Sequence, residues 1–422
     1  MTKIVAVIGR RIWDSRGRPT VETEIRLASG AVGRGIAPAG ASTGSGEAID
    51  LRDGGTRFGG LDVRRAVANV NGEIAAALIG CDATDQAAID HRLVTLDGTP
   101  NKARLGGNAI IATSMAVAHA AAAARGLPLW RSLGAETPVL PMPEIQIIGG
   151  GAHASRRVDV QDFMIVPVGA RDFAEALDWA AEVHRSAGGL LAKAGRVAGV
   201  ADEGGYWPAF DRNEDAIELI VRAIESAGLR PGADVAISLD IAATQLRTPG
   251  GYRLAREGRE LSPDAFAALL LGWLDAYPIC AIEDPLAEDD ADGIAAFTRA
   301  ASARAIVVGD DFLVTNAGRI ADAAAKGACT ATLIKPNQAG TLTEAKAAFD
   351  AARAVGWTTI VSARSGETED VTIAHLAAGW GADMLKVGSL TRSERLAKWN
   401  ECQRIAESPG ARFAGWRGAR GG

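Results

Sequence analysis

Cysteine is scarce in this chain, with only Cys81, Cys280, Cys329 and Cys402 in 422 residues, scattered without paired spacing. That excludes a disulfide framework, and the expectation is buried reduced thiols in a cytoplasmic protein. Long hydrophobic runs are also lacking. The longest, 109–124, is alanine-rich and interrupted by Ser114 and His119, so it predicts a buried amphipathic helix and no membrane span. The opening apolar run is cut by Arg10 and Arg11, too soon for a secretion signal. There is no excess of positive charge, since 45 Lys and Arg stand against 51 Asp and Glu for a net −6. That balance gives no electrostatic reason to expect nucleic acid or an anionic membrane as partner.

What is present is a 48% hydrophobic chain, long enough for two or three domain-sized units, one of them a barrel of about 250 residues. The most informative stretch is Cys280-Ala-Ile-Glu-Asp-Pro285. A short buried strand ends there on two carboxylates, and Pro285 stops the ladder. The same grammar recurs in Val235-Ala-Ile-Ser-Leu-Asp240, Ala305-Ile-Val-Val-Gly-Asp-Asp311 and Ala331-Thr-Leu-Ile-Lys335. Polar residues at the C-terminal ends of successive buried strands, with helical segments between, describe the mouth of a (β/α) barrel. Three acids and a lysine converging there suit a metal-assisted site, although a single acid after a strand more often caps the next helix.

Around this stretch, segments 3–9 and 20–27 alternate as strands, and 61–80, 83–93 and 107–125 carry helical patterns. The glycine-rich run 33–46 predicts a loop, either a lid or plain surface. Pro138, Pro141 and Pro143 mark the expected boundary between units 1–137 and 138–422. Beyond it strand-like and helix-like segments mostly alternate to about residue 407. The tail from Pro409, with Arg412, Arg417 and Arg420, is expected to fray.

Read together, the motifs resemble the enolase family over nearly the whole chain. They include Asp14-Ser-Arg-Gly-Arg-Pro-Thr-Val-Glu22, Gly40-Ala-Ser-Thr-Gly44, Leu96-Asp-Gly-Thr-Pro-Asn-Lys102 and Asp202-Glu-Gly-Gly205. Others are Ile282-Glu-Asp-Pro285, Gly309-Asp-Asp311, Asn337-Gln338, Arg364-Ser-Gly-Glu-Thr-Glu-Asp370 and Arg392-Ser-Glu-Arg-Leu-Ala-Lys398. The resemblance implies an α/β fold, an enolase-type (β/α)8-like barrel preceded by a smaller α+β N-terminal domain. It implies a hydro-lyase that abstracts the proton α to a carboxylate and expels the 3-hydroxyl as water. Two Mg²⁺ per active site are expected, the second arriving with a small anionic phosphorus-containing substrate, in a homodimer or higher homo-oligomer.

Carried over residue by residue, the resemblance gives Asp240, Glu283 and Asp310 the tight Mg²⁺, and Ser42 the second. Lys335 is then the base, and Lys386 the cation facing the substrate carboxylate. Each lysine, near the other and near metal, is expected to favour the neutral amine. Glu203 helps the hydroxyl leave, Arg364 and Ser365 grip the phosphoryl group, and His153 lies on a second mobile loop. Asp162 stands close to the catalytic acid, and Gln161 is expected to bind substrate. His91, His119, His184 and His375 match no catalytic position and are read as structural or surface.

Four positions depart from the family. Ala39, Gly149, Asp162 and Ala363 stand where serine, asparagine, glutamate and histidine are usual, each change making the side chain smaller. Arg156 and Arg157 add charge just ahead of Asp162. The expectation is a roomier, more positive pocket for a bulkier analogue of 2-phosphoglycerate, as in the branch of the family that makes carboxyphosphonoenolpyruvate. Ordinary glycolytic conversion of 2-phosphoglycerate is the alternative. A non-catalytic binding role is a third reading, which the retained lysines and acids oppose.

Overall fold

Alternating apolar residues at the N-terminus build a three-stranded antiparallel meander in the computed structural model, which describes residues 1–197 and 199–418. Its strands are Ile4–Trp13, Pro19–Leu27 and Val32–Ile36. Val21, Ile25 and Leu27 turn inward and pack under the helix Gly107–Ala124. That helix is long and apolar enough to cross a membrane, yet 83% of it is buried inside the protein. Its alanines bring the sheet unusually close. A Cβ on Gly33 would come within 2.1 Å of the Ala120 nitrogen, and one on Gly35 within 2.5 Å of the Ala112 carbonyl oxygen.

Residues 33–36 are therefore strand, and the expected loop begins only after them; glycine here serves close packing, not mobility. Gly33→Ala should cost about 1–3 kcal/mol of stability by overpacking, read as a lowered denaturation midpoint. The helical pattern at 61–80 resolves into Arg64–Asn69, a π turn at Val70–Ile74, and Ala75–Leu78. Within the π turn, the Asn71 amide accepts from the Gly9 N–H at 2.8 Å and donates to its carbonyl at 3.0 Å.

Eight strands close the barrel: Met142–Gly149, Asp162–Val166, Ala236–Asp240, Ile279–Glu283, Ile306–Gly309, Ala331–Ile334, Thr358–Ser362 and Met384–Gly388. Every strand contributes to an apolar plug in which Met142, Val166, Ala236, Ala281, Val308 and Leu333 are buried. The strand Asp162–Val166 runs antiparallel to both neighbours, with Asp162 opposite Gly149 on one side and Asp240 on the other. A loop, not a crossover helix, connects it to the first strand, which permits the reversal. The reversal brings its first residue, Asp162, to the mouth where the other strands deliver their last.

Two helices, Phe173–Lys193 and Asn213–Ser226, follow that strand before strand and helix alternate as expected. After Asp240 a small three-stranded sheet is inserted, made of Arg247–Thr248, Gly251–Leu254 and Arg259–Leu261. Up to residue 418 the tail does not fray as expected. Arg412–Phe413 pairs in parallel with Val139–Leu140, and Arg417 reaches Asp383 at 3.2 Å, so free backbone and a buried acid give it partners. Arg420 lies outside the described residues.

Candidate active site

The strand ends predicted from sequence meet at one mouth, all buried. Glu283 lies in register with Asp240 on the adjacent strand, and Asp310 and Lys335 each follow the last residue of their strands. Lys386 sits opposite Ser362. The Lys386 ammonium donates to Glu283 at 2.6 Å and to Asp240 at 3.1 Å. Lys335 donates to one oxygen of Asp310, and the Gln338 amide donates to the other at 2.9 Å. Gln161 donates to Asp240 at 3.0 Å.

Charge balance follows from these contacts. Burial alone would lower both lysines, but Asp240 and Glu283 push Lys386 well up, and Asp310 raises Lys335. Each ammonium sits on a carboxylate that favours its charged form, whereas the expected neutral amines refer to a site whose acids hold metal. Burial and the neighbouring Asp240 push Glu283 well above the usual carboxylate range. Burial pushes Asp310 in the same direction, but Lys335 and Lys386 outweigh it and bring Asp310 down to about 2.

The residues fit a hard divalent cation. Asp240, Glu283 and Asp310 offer only carboxylate oxygens, and Glu283 Oε1 is buried without a hydrogen-bond partner among the described residues. The tighter acidic group is Asp284, Asp310 and Asp311, whose donor atoms lie within 4.8 Å of one another. Asp284 is engaged otherwise. It accepts the backbone N–H groups of Asp310 at 3.0 Å and Asp311 at 2.8 Å, and so braces the turn that presents Asp310.

A second cluster joins His153, Asp162 and Glu203. His153 Nδ1 is 2.9 Å from Asp162, and Nε2 is 3.9 Å from Glu203. Burial would lower this imidazole, but the two acids outweigh it and raise it to about 9. Gln146, which sequence reasoning missed, donates to Asp162 and accepts from the Gly205 N–H at 2.7 Å. Its signal was a polar side chain which, like Glu144 two residues earlier, interrupts a mostly apolar strand.

Arg364 is the hinge between the barrel and the glycine-rich loop. It donates to Glu47 at 2.8 Å, to Asn337 at 3.1 Å and to the Ser42 carbonyl at 2.9 Å. Glycine is needed at position 40, because a Cβ there would stand 2.0 Å from the Arg364 guanidinium. Ser45 ties the far end of the loop to Glu288, with its N–H at 2.9 Å and its hydroxyl at 3.2 Å. The loop covers the mouth, and Gly40, Ala41 and Ser42 wall a cavity of about 20 Å³, room for little more than one water. Of the two readings of the loop, the structure supports a cover over the site.

His153, Gln161, Glu203, Asp240, Lys335 and Lys386 line this cavity, and so do Ala363, Arg364 and Ser365. Other predicted positions do not. Gly149 opens no space, since a Cβ there would meet the Ala201 side chain at 2.4 Å. Ala39 is buried in backbone pairing with Gly366, and Asp162 is fully buried against His153. Arg157 stacks over Trp207 at 5.5 Å, and Arg156 lines a neighbouring cavity. The expected enlargement therefore reduces to Ala363, and the added charge lies beside the cavity. His119 bonds Thr372, His375 pairs with Glu401 and His184 stacks on Tyr206, as suits structural roles.

Residues 4–133 match the family model for the enolase N-terminal domain, and residues 137–420 match that for the enolase C-terminal TIM barrel domain. Enolase-type dehydration with Mg²⁺ is the chemistry of that family. Its two domains follow one another here in order, and carboxylates and lysines crowd the barrel mouth: the chain belongs to the enolase family.

Proposed function

We propose that this protein is a Mg²⁺-dependent hydro-lyase that forms an enolpyruvate from a 2-phosphoglycerate analogue carrying an extra anionic group at phosphorus, as carboxyphosphonoenolpyruvate synthase does. The observation that carries the reading is Ala363, which lines the catalytic cavity directly beside Arg364 while both lysines and all three metal-type carboxylates remain.

In this reading Lys386 faces the substrate carboxylate and Lys335 takes the α-proton on its Nζ. Asp310, itself fixed by the Gln338 amide, holds that nitrogen in place. Since Asp310 is also what keeps the ammonium charged, anything that draws Asp310 away frees Lys335 to act as base. Glu203 passes a proton to the departing 3-hydroxyl, and charged His153 beside it favours that end of the site for negative oxygen. Arg364, oriented by Glu47 and Asn337, receives the phosphoryl oxygens. The glycine-rich cover excludes water from the reacting atoms. Asp240, Glu283 and Asp310 would hold Mg²⁺, which supplies the positive charge that offsets the anion growing on the substrate carboxylate.

Conversion of ordinary 2-phosphoglycerate is the second reading, favoured by the absence of any space at Gly149. Competition between 2-phosphoglycerate and its carboxyphosphono analogue separates the two, with product followed by absorbance. The analogue should be preferred. Ala363→His should then shift kcat/KM toward 2-phosphoglycerate by tenfold or more, since a charge-assisted contact contributes about 1.5–3 kcal/mol. Efficient turnover of 2-phosphoglycerate, with the analogue neither converted nor bound, returns the protein to glycolysis.

A further inference from the structure

Behind Gln161 lies a second cavity of about 190 Å³. Gln161 is the wall shared with the catalytic cavity. Its amide nitrogen is fixed on Asp240 at 3.0 Å, and its oxygen accepts from Gln245 at 2.6 Å. Three arginines line the space: Arg156 from the loop before Asp162, and Arg247 and Arg253 from the small inserted sheet.

The charges in this cavity do not cancel. Arg247 pairs with Asp289 at 2.6 Å. The one acid lining it, Asp159, is buried and accepts the backbone N–H groups of Ala255 and Arg256 at 3.0 and 3.1 Å. Among the described residues the side chains of Arg156 and Arg253 make no hydrogen bond or ion pair, and both are exposed. Two cations thus line one hollow from independent elements, and the acids beside them, Asp159 in the lining and Glu260 opposite Arg253 on the neighbouring strand, form no ion pair with either. Backbone strain sits at the same place. Ser155 and Arg156 are consecutive non-glycine residues in the left-handed region, at φ +51° and +56°. Such conformations cluster where a loop is held for a purpose.

We infer that this cavity is a subsite for a small oxyanion, a carboxylate or phosphate, gripped by the guanidinium groups of Arg156 and Arg253. Planar guanidinium matches both anions by paired hydrogen bonds, and the volume suits a group of a few heavy atoms, far short of a nucleotide. The anion has two possible sources. It is the extra arm of the substrate, which rests on the function proposed above, or it is a separate small anion acting next to Gln161 and Asp240.

Two measurements on the full chain with Mg²⁺, made on wild type, Arg253→Gln and Arg156→Gln, decide. The first is calorimetric titration with malonate and with inorganic phosphate. The second is the ratio of kcat/KM for the carboxyphosphono analogue over 2-phosphoglycerate. A fall of tenfold or more in the ratio in both variants supports the substrate arm as source. A tenfold weakening of malonate or phosphate binding in both variants, with the ratio unmoved, supports a separate anion. If neither quantity moves in either variant, both still melting as wild type, the subsite is overturned. Should wild type convert only 2-phosphoglycerate, the substrate proposal fails by itself, and the titrations still decide the subsite.

Discussion

Lys335→Ala is expected to abolish exchange of the substrate's α-hydrogen with solvent deuterium and to lower kcat by about 10³–10⁴-fold, the upper range for a positioned general base. Lys335 is the first residue after a buried strand, its nitrogen lies on Asp310, and it lines the same cavity as Glu203 and Lys386. Glu203→Gln separates the two proton transfers. Exchange at the α-carbon should survive in it while loss of the hydroxyl fails, so deuterium enters substrate without product forming. Normal exchange in Lys335→Ala would mean that another group takes the proton, and Lys386 would be the next to test.

Asp240→Ala should remove turnover with a loss of at least about 10³-fold, comparable to deleting a preorganised electrostatic partner of a developing anion. Asp240 accepts from both Lys386 and Gln161, and it stands in register with Glu283, whose buried Oε1 has no partner among the described residues. The isosteric Asp240→Asn keeps the packing and accepts the same hydrogen bonds, yet removes the charge that a divalent cation needs. Both variants should have lost Mg²⁺ binding by calorimetry while keeping wild-type helical content. Wild type should be inactive in excess chelator and recover on addition of Mg²⁺. Full activity with chelator present would sink the metal assignment.

The strand-end acids and lysines were legible because each follows a short apolar run, and the barrel packs those runs so that their ends converge. Asp162 was harder to place. Its strand is antiparallel, a property that its hydrophobic pattern does not encode, and only the reversal brings its first residue to the mouth. Glu47 escaped notice for a different reason: it orients Arg364 across 317 residues of sequence. Gly149 misled in the opposite direction. A smaller residue implied a larger pocket, but Ala201 from another loop already fills the space. Gly33 and Gly35 read as loop because composition cannot distinguish glycine needed for freedom from glycine needed for contact, and here the helix Gly107–Ala124 decides. The lysine protonation states depend on individual carboxylate contacts, which no motif specifies.

The α-hydrogen of the carboxyphosphono analogue, followed by NMR in deuterium oxide with wild-type enzyme and Mg²⁺, is the decisive observable. Its signal should vanish as deuterium enters, the enolpyruvate product should accumulate, and both changes should stop when the cation is chelated. A signal that persists unchanged in the analogue and equally in 2-phosphoglycerate, with no product from either, would contradict proton abstraction at this site.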